Sequence, residues 1–306
     1  MKVLVIGGSG FIGSHVADAL SDSGHQVTIY DARPSPYIRP DQQQLIGTTL
    51  NRDQVAAAIE SQEVVYNFAG IPHLDVGLKY PIETVEQNIL ATVITLEAAK
   101  RVGVKRYVYA SSIYVYSEGG SFYRCSKQAA ELYIDEYQRL FGLDYTILRY
   151  GTIYGPRADD HNSIRRYLKQ ALQERRITLN GTGEEVREYI HVKDAARSSV
   201  DILSDQYRNE HVVLTGQHPM RYRDLLTMIR EIVGRDIEIE IKPADAQDPK
   251  YSSSGHFVVT PYSFRPKIAK KLVSNPYLDM GQGLLDCLES LYEEEMMALH
   301  AAESTR

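Results

Sequence analysis

Tyr123 and Lys127 stand four residues apart in Tyr123-Arg124-Cys125-Ser126-Lys127, so on a helix they project from one face. An ammonium so placed favours a phenolate and draws the tyrosine toward working pH, the behaviour of a general acid or base. Ser111-Ser112 lies just past the apolar run Arg106-Tyr107-Val108-Tyr109-Ala110, where the Ser112 hydroxyl can bond a substrate oxygen. The chain holds 22 tyrosines, so a Tyr-x-x-x-Lys pair alone carries little weight. Its force comes from what stands elsewhere.

The segment Gly7-Gly8-Ser9-Gly10-Phe11-Ile12-Gly13 follows directly on the strand-like Lys2–Ile6 and opens a helical stretch. Gly7, Gly10 and Gly13 allow a sharp turn, close approach of a pyrophosphate and packing of helix on strand. The first helical turn, with Phe11, Ile12 and Gly13, offers free N–H groups and a positive dipole end to the phosphates. Asp31 follows Gly13 by 18 residues, at the end of the run Gln26–Tyr30. A carboxylate there accepts bonds from both adenosine ribose hydroxyls and repels a 2′-phosphate, which favours NAD over NADP. Arg33 close by weakens that preference. The loop Asn67-Phe68-Ala69-Gly70 faces the nicotinamide side, with Ala69 against the cofactor, and the positive nicotinamide ring adds to the effect of Lys127 on Tyr123. His73 beyond it reads equally as a substrate-side residue or a structural histidine.

These groups need a rigid frame, and the pattern supplies one. The runs at 2–6, 26–30, 64–68, 106–110 and 144–148 are short and nearly all apolar, and helical segments separate them. That predicts a parallel sheet covered on both faces. The helices expected between them are Ile12–Ser21, closed near Gly24, a capping box from Asn51 to Gln54 opening Val55–Ile59, and a long segment from Pro81 to Lys100 closed by Gly103. After Gly155-Pro156 the chain turns polar and basic to residue 186. A helix over His191–Leu203, a strand at His211–Thr215, another at Ile237–Ile241 and an amphipathic helix at Leu284–Ala298 are expected, with a frayed tail at Ala301–Arg306. The division that follows is 1–155 as the dinucleotide-binding domain, with 187–216 returning to it, and 156–186 with 217–306 as a second, smaller lobe.

Composition limits the alternatives. The chain has 306 residues, 43% hydrophobic and 24% charged, with a formal net charge of −6, which offers no basic surface to nucleic acid or anionic lipid. No apolar run approaches the ~20 residues of a membrane span, and the start lacks a signal-peptide pattern, so a cytoplasmic location is expected. Cys125 and Cys287 are isolated, and no His, Asp or Glu set has metal-ligand spacing. Cys125 is expected to pack, His161 and His191 to be structural or solvent-facing, and Glu293-Glu294-Glu295 to be a solvated helix face.

Together these motifs resemble the extended short-chain dehydrogenases/reductases, in particular the NAD-dependent epimerase/dehydratase group acting on nucleotide sugars. The glycine loop carries the resemblance, with Asn88-Ile89-Leu90 to Leu96-Glu97-Ala98-Ala99, Tyr109 to Ser112 with Val115-Tyr116, and Tyr123 to Lys127 with Glu131. Leu148-Arg149-Tyr150, Tyr154 to Arg157, and Arg187 to Val192 with Asp194 extend it over nearly the whole chain. It implies an α/β, Rossmann-type doubly wound parallel sheet with a C-terminal substrate-binding lobe. It implies Tyr123 as catalytic base, Lys127 on the nicotinamide ribose, Ser112 supporting the transferred proton and Arg187 on the substrate diphosphate. It also implies a homodimer through helices 83–100 and 123–141.

Departures from the family pattern narrow the chemistry. The 4,6-dehydratases place an Asp-Glu pair where this chain has Ile113 and Tyr114, and the same Glu matters in decarboxylases, so both activities are demoted. Thr48 replaces an Asp near the adenine, and Thr152 replaces an Asn that touches substrate phosphate. Ten residues separate Ser112 from Tyr123, a short loop that predicts an open mouth. The expected activity is NAD-dependent nucleotide-sugar epimerisation, at C4 by preference, through a ketosugar. A 4-dehydrogenase or ketosugar reductase would use the same residues, and a dinucleotide-sensing protein without catalysis is the non-enzyme alternative.

Overall fold

The structure, a computed structural model, describes residues 1–117, 120–243 and 268–304. The chain begins with β1 (Lys2–Ile6), α1 (Phe11–Asp22), β2 (Gln26–Asp31), β3 (Gln43–Ile46), α2 (Arg52–Ile59), β4 (Val64–Asn67) and α3 (Leu74–Lys79). Helix α4 (Pro81–Val85) passes through a π turn at Glu86–Leu90 into α5 (Ala91–Val102), followed by β5 (Arg106–Ser112), a 3₁₀ turn at Ile113–Tyr116 and α6 (Ser121–Phe141). Then come β6 (Tyr145–Tyr150), β7 (Thr152–Tyr154), α7 (Ser163–Lys169), β8 (Arg176–Asn180), β9 (Val186–His191) and α8 (Val192–Asp201). The last elements are β10 (Glu210–Leu214), β11 (Pro219–Arg221), α9 (Tyr222–Val233), β12 (Glu238–Lys242), β13 (Lys270–Lys271) and α10 (Met280–Ser304).

Eight strands form one sheet in the order β13-β10-β6-β5-β4-β1-β2-β3, and every pairing in it is parallel. The central strands are buried on both faces, which is why they read as continuous apolar runs. One hydrophobic core lies on each side of the sheet, the first with Val16, Leu20, Val192 and Ala195, the second with Val55, Leu96, Ala130 and Ile134. The strand order reverses between β1 and β4, and crevices outside the carboxyl ends of strands at such a point bind ligands. A third core of Ile164, Leu168, Ile177, Leu225, Ile229 and Leu288 joins α7, β8, α9 and α10. No helix among the described residues is long and apolar enough to cross a membrane.

Several expectations need correction. His191 does not open a helix: it ends β9 and caps α8, its side chain accepting the Lys193 N–H. Asn51 caps α2 through the N–H groups of Asp53 and Gln54, but the Gln54 side chain accepts from Thr48 N instead of closing the box. The segment from Pro81 is broken by the π turn. Cys125 is exposed rather than packed. The tail expected to fray at Ala301–Arg306 is helical to Ser304, and Thr305 and Arg306 lie outside the described residues.

Candidate active site

The glycine loop shows why side chains are excluded from it. Gly7 has φ +78°, and a Cβ on it would lie 2.7 Å from the Ala69 nitrogen; a Cβ on Gly13 would lie 2.3 Å from the Gly7 carbonyl oxygen. Gly10 precedes the first turn of α1 without any side-chain cap, so the N–H groups opening the helix at Phe11 and Ile12 are left to a ligand. Asp31 ends β2 beside the loop, accepting from Ser9 N at 3.0 Å and Arg33 N at 3.1 Å. Each oxygen of its carboxylate keeps capacity for another donor. The Arg33 carbonyl accepts from Ser9 Oγ at 2.9 Å while its side chain is exposed. A cradle that a single Cβ would fill, an uncapped helix start and an adjacent carboxylate fit a dinucleotide.

Helix α6 turns the second half of the site inward. Its buried positions are 123, 126, 127, 130, 131, 134 and 137, one continuous stripe at helical spacing, ended by Gly142 in the left-handed region. Tyr123 and Lys127 therefore occupy places that packing would give to apolar residues. Tyr123 is 8% exposed. Burial pushes its phenol up to about 12, and a hydrogen bond with Ser112 pulls against that. Ser112 ends β5 and also accepts from Tyr114 N. Lys127 Nζ donates to Tyr109 OH at 3.2 Å and to Ala110 O at 2.7 Å, 5.8 Å from the centre of the Tyr123 ring. Burial draws the Lys127 ammonium down to about 8, with Glu131 opposing. Burial is the largest effect on the phenol, and the nicotinamide charge invoked beside Lys127 would come with the cofactor.

Ala69 N donates to Asn67 Oδ1 at 3.1 Å, which folds the chain end of β4 against Gly7. His73 precedes α3 without a side-chain bond to it and pairs with Asp159 at 3.1 Å, its ring stacked on His161 at 4.1 Å. Thr152 opens β7, in register with Tyr189 of β9. Arg187 lies two residues before Tyr189, on the same face of β9, with its guanidinium over the Tyr222 ring at 5.2 Å. Arg187 is also close enough to the Tyr114 phenol to counter the upward push of burial on it, and Tyr114 meets Tyr123 edge-on at 6.2 Å. Tyrosines thus link the α6 phenol to Arg187.

Sequence reasoning passed over three participants. Tyr114 was read only as the absence of a carboxylate. Tyr109 supplies a bond to Lys127. Asn88, fully buried in the π turn, accepts from Ile71 N at 2.7 Å and donates to Ser126 Oγ at 2.9 Å. Nothing in the run Glu86-Gln87-Asn88 sets this amide apart from its polar neighbours; only its burial, which obliges it to be bonded, does.

The model of the NAD dependent epimerase/dehydratase family matches residues 3–215, and the chain belongs to that family. A putative UDP-glucose 4-epimerase of Methanocaldococcus jannaschii is 28% identical over 267 residues, spanning 80% of this chain and 87% of its own. A UDP-N-acetyl-alpha-D-glucosaminuronate decarboxylase of Bacillus cytotoxicus is 27% identical over 279 residues, 81% of this chain and 85% of its own. Among solved structures, the Thermus thermophilus UDP-glucose 4-epimerase in complex with NAD shares the fold, with a TM-score of 0.78 and 23% identity over 95% of this chain and 98% of that one. The chain is accordingly an NAD-dependent enzyme of the extended short-chain dehydrogenase/reductase type.

Proposed function

We propose that this enzyme is a nucleotide-sugar epimerase acting at C4 by transient oxidation to a ketosugar. The observation that carries this reading is the convergence of Tyr123, Ser112 and Lys127 at the carboxyl edge of β5, beside the glycine cradle, with Ile113 and Tyr114 where water elimination needs carboxyls. NAD, when bound, supplies reversible hydride acceptance. Gly7, Gly10, Phe11, Ile12, Gly13, Asp31, Ala69 and Lys127 would hold it. Tyr123 takes the proton of the sugar hydroxyl and later returns it. Ser112 bonds the same oxygen, and the Lys127 charge favours the phenolate form during the transfer. Arg187 is assigned to the diphosphate, with Thr152, and His73 to the substrate side near the nicotinamide. The names of the relatives include 4-epimerases and decarboxylases, and the missing carboxyl pair is the reason to prefer the former.

Purified enzyme incubated with UDP-, GDP-, CDP- and dTDP-sugars, with products read by NMR, tests the proposal. Epimer formation without added NAD and without NADH release supports it. Stoichiometric NADH would replace it with a 4-dehydrogenase, and consumption of NADH by a ketosugar with a reductase. No turnover of any sugar by a protein that binds NAD would favour a sensor.

A further inference from the structure

Behind the site lies a buried polar cluster that the proposed chemistry does not touch. Arg149 of β6 is 0% exposed and Glu131 of α6 is 3% exposed. The guanidinium donates through Nε to Oε1 at 3.0 Å and through Nη2 to Oε2 at 2.6 Å. Ser111 Oγ donates to the same Oε1 at 2.5 Å, and Arg149 Nη1 donates to Tyr116 OH at 2.6 Å. From β10, His211 Nδ1 is 2.9 Å from Arg149 Nη2 and 3.5 Å from Glu131 Oε2, and its Nε2 reaches Asp135 at 3.4 Å and Tyr145 OH at 3.4 Å.

A buried ion pair is rarely more stable than an apolar pair of the same volume, so its use is sought in what it holds. Ser111 and Tyr116 bracket the segment Ser112–Val115, which carries the hydroxyl beside Tyr123 and the phenol of Tyr114. Ala110 and Ser112, the neighbours of Ser111, make the bonds to Lys127 and Tyr123. Lys127 itself is faced by Tyr109 and the Ala110 carbonyl from β5, and by Tyr123 and Glu131 from its own helix. Of these, Glu131 is the one that is charged at neutral pH.

The geometry points to Glu131 as a positioning residue for the reaction: through Ser111 and Arg149 it fixes both ends of the Ser112–Val115 segment, and its carboxylate is the counter-charge that keeps Lys127 an ammonium. The inference rests on the epimerase reading for its catalytic meaning, not for its physical content. Burial works to raise the Glu131 carboxyl, but hydrogen bonds from His211 and Arg149 outweigh it and hold the group below the usual range, so it is ionised. Burial already brings Lys127 down to about 8 with that charge in place. Without it, the lysine loses its proton closer to neutrality.

The test is an NMR titration of protein labelled with ¹⁵N-lysine, the Lys127 signal being assigned by its loss in Lys127→Ala. Glu131→Gln should lower the Lys127 midpoint by about one pH unit or more, and Glu131→Asp, which keeps the charge, should hold it near wild type. Because Glu131→Gln strands a buried guanidinium, the double variant Glu131→Gln/Arg149→Met is measured alongside for a preserved fold; it removes a positive charge with the negative one, so its Lys127 midpoint should fall less than in Glu131→Gln, while kcat should drop at least about tenfold because the Ser112–Val115 segment loses both anchors. In turnover assays the alkaline limb of kcat should move down with the lysine. A Lys127 midpoint unchanged in folded Glu131→Gln, or a kcat unchanged in the folded double variant, overturns the inference. Failure of the wild-type enzyme to turn over any nucleotide sugar overturns the functional reading instead, and leaves the titration to decide the role of Glu131.

Discussion

Gly13 lies directly beneath Gly7: the carbonyl oxygen of Gly7 occupies the space that a side chain on Gly13 would enter, 2.3 Å from the position of its Cβ. Gly13→Ala must therefore push the loop off the helix start. The two flanking cores are untouched, so the fold should persist by circular dichroism, while NAD affinity measured by calorimetry falls at least about tenfold, the loss of one good contact or more.

Tyr123→Phe keeps the ring in its buried slot and removes only the hydroxyl. Turnover should drop by about 10²- to 10⁴-fold, the usual worth of a positioned acid or base. NAD affinity should stay within a few-fold of wild type. Loss of both together would mean that the phenol holds the cofactor rather than moving a proton.

His15 Nε2 bonds the carbonyl of Pro156 at 3.0 Å, tying α1 to the chain after β7. Burial, helped by Arg157, lowers its pKa from 6.5 to about 4. The unfolded chain thus takes up a proton between pH 6.5 and 4 that the folded one refuses. Its contribution is complete above pH 6.5 and is lost as pH falls toward 4, by about 3 kcal/mol at most. His191, also lowered to about 4 by burial, adds with the same sign. Urea unfolding across this range should show the decline, and His15→Gln, whose amide can make the same bond, should remove the His15 share of it.

The homodimer expected from the family resemblance has a candidate surface. Ile82, Val85, Leu90, Leu132 and Leu140 are exposed along α4, the π turn and α6. If two copies meet there, Leu132→Glu with Leu140→Glu should convert a dimer to a monomer by light scattering, with unchanged helix content. A wild-type monomer would discard the interface.

Much of the frame could be read from the chain because central parallel strands are buried on both faces and leave largely apolar runs, as in β1 and β4. The edge strand β3, with Gln43-Gln44 and mostly exposed side chains, leaves no such trace. Helix α9 is not among the elements expected from the pattern, although Leu225, Leu226 and Ile229 are fully buried. In the site, Tyr123 and Lys127 were visible through their spacing. Tyr114 and Glu131 were not seen for what they do, because their neighbours in space, Arg187 and Arg149, come from distant strands. Asp31 lies where expected, but its bonds to Ser9 and Arg33 could not be foreseen from spacing alone.

The extra residue that widens the helix at Glu86–Leu90 places the Asn88 amide between Ile71 and Ser126, and Ser126 in turn bonds the Tyr123 carbonyl at 2.8 Å. One side chain therefore couples the loop after β4 to the helix that bears the phenol. Held through one amide, the loop after β4 and the phenol are displaced together or not at all.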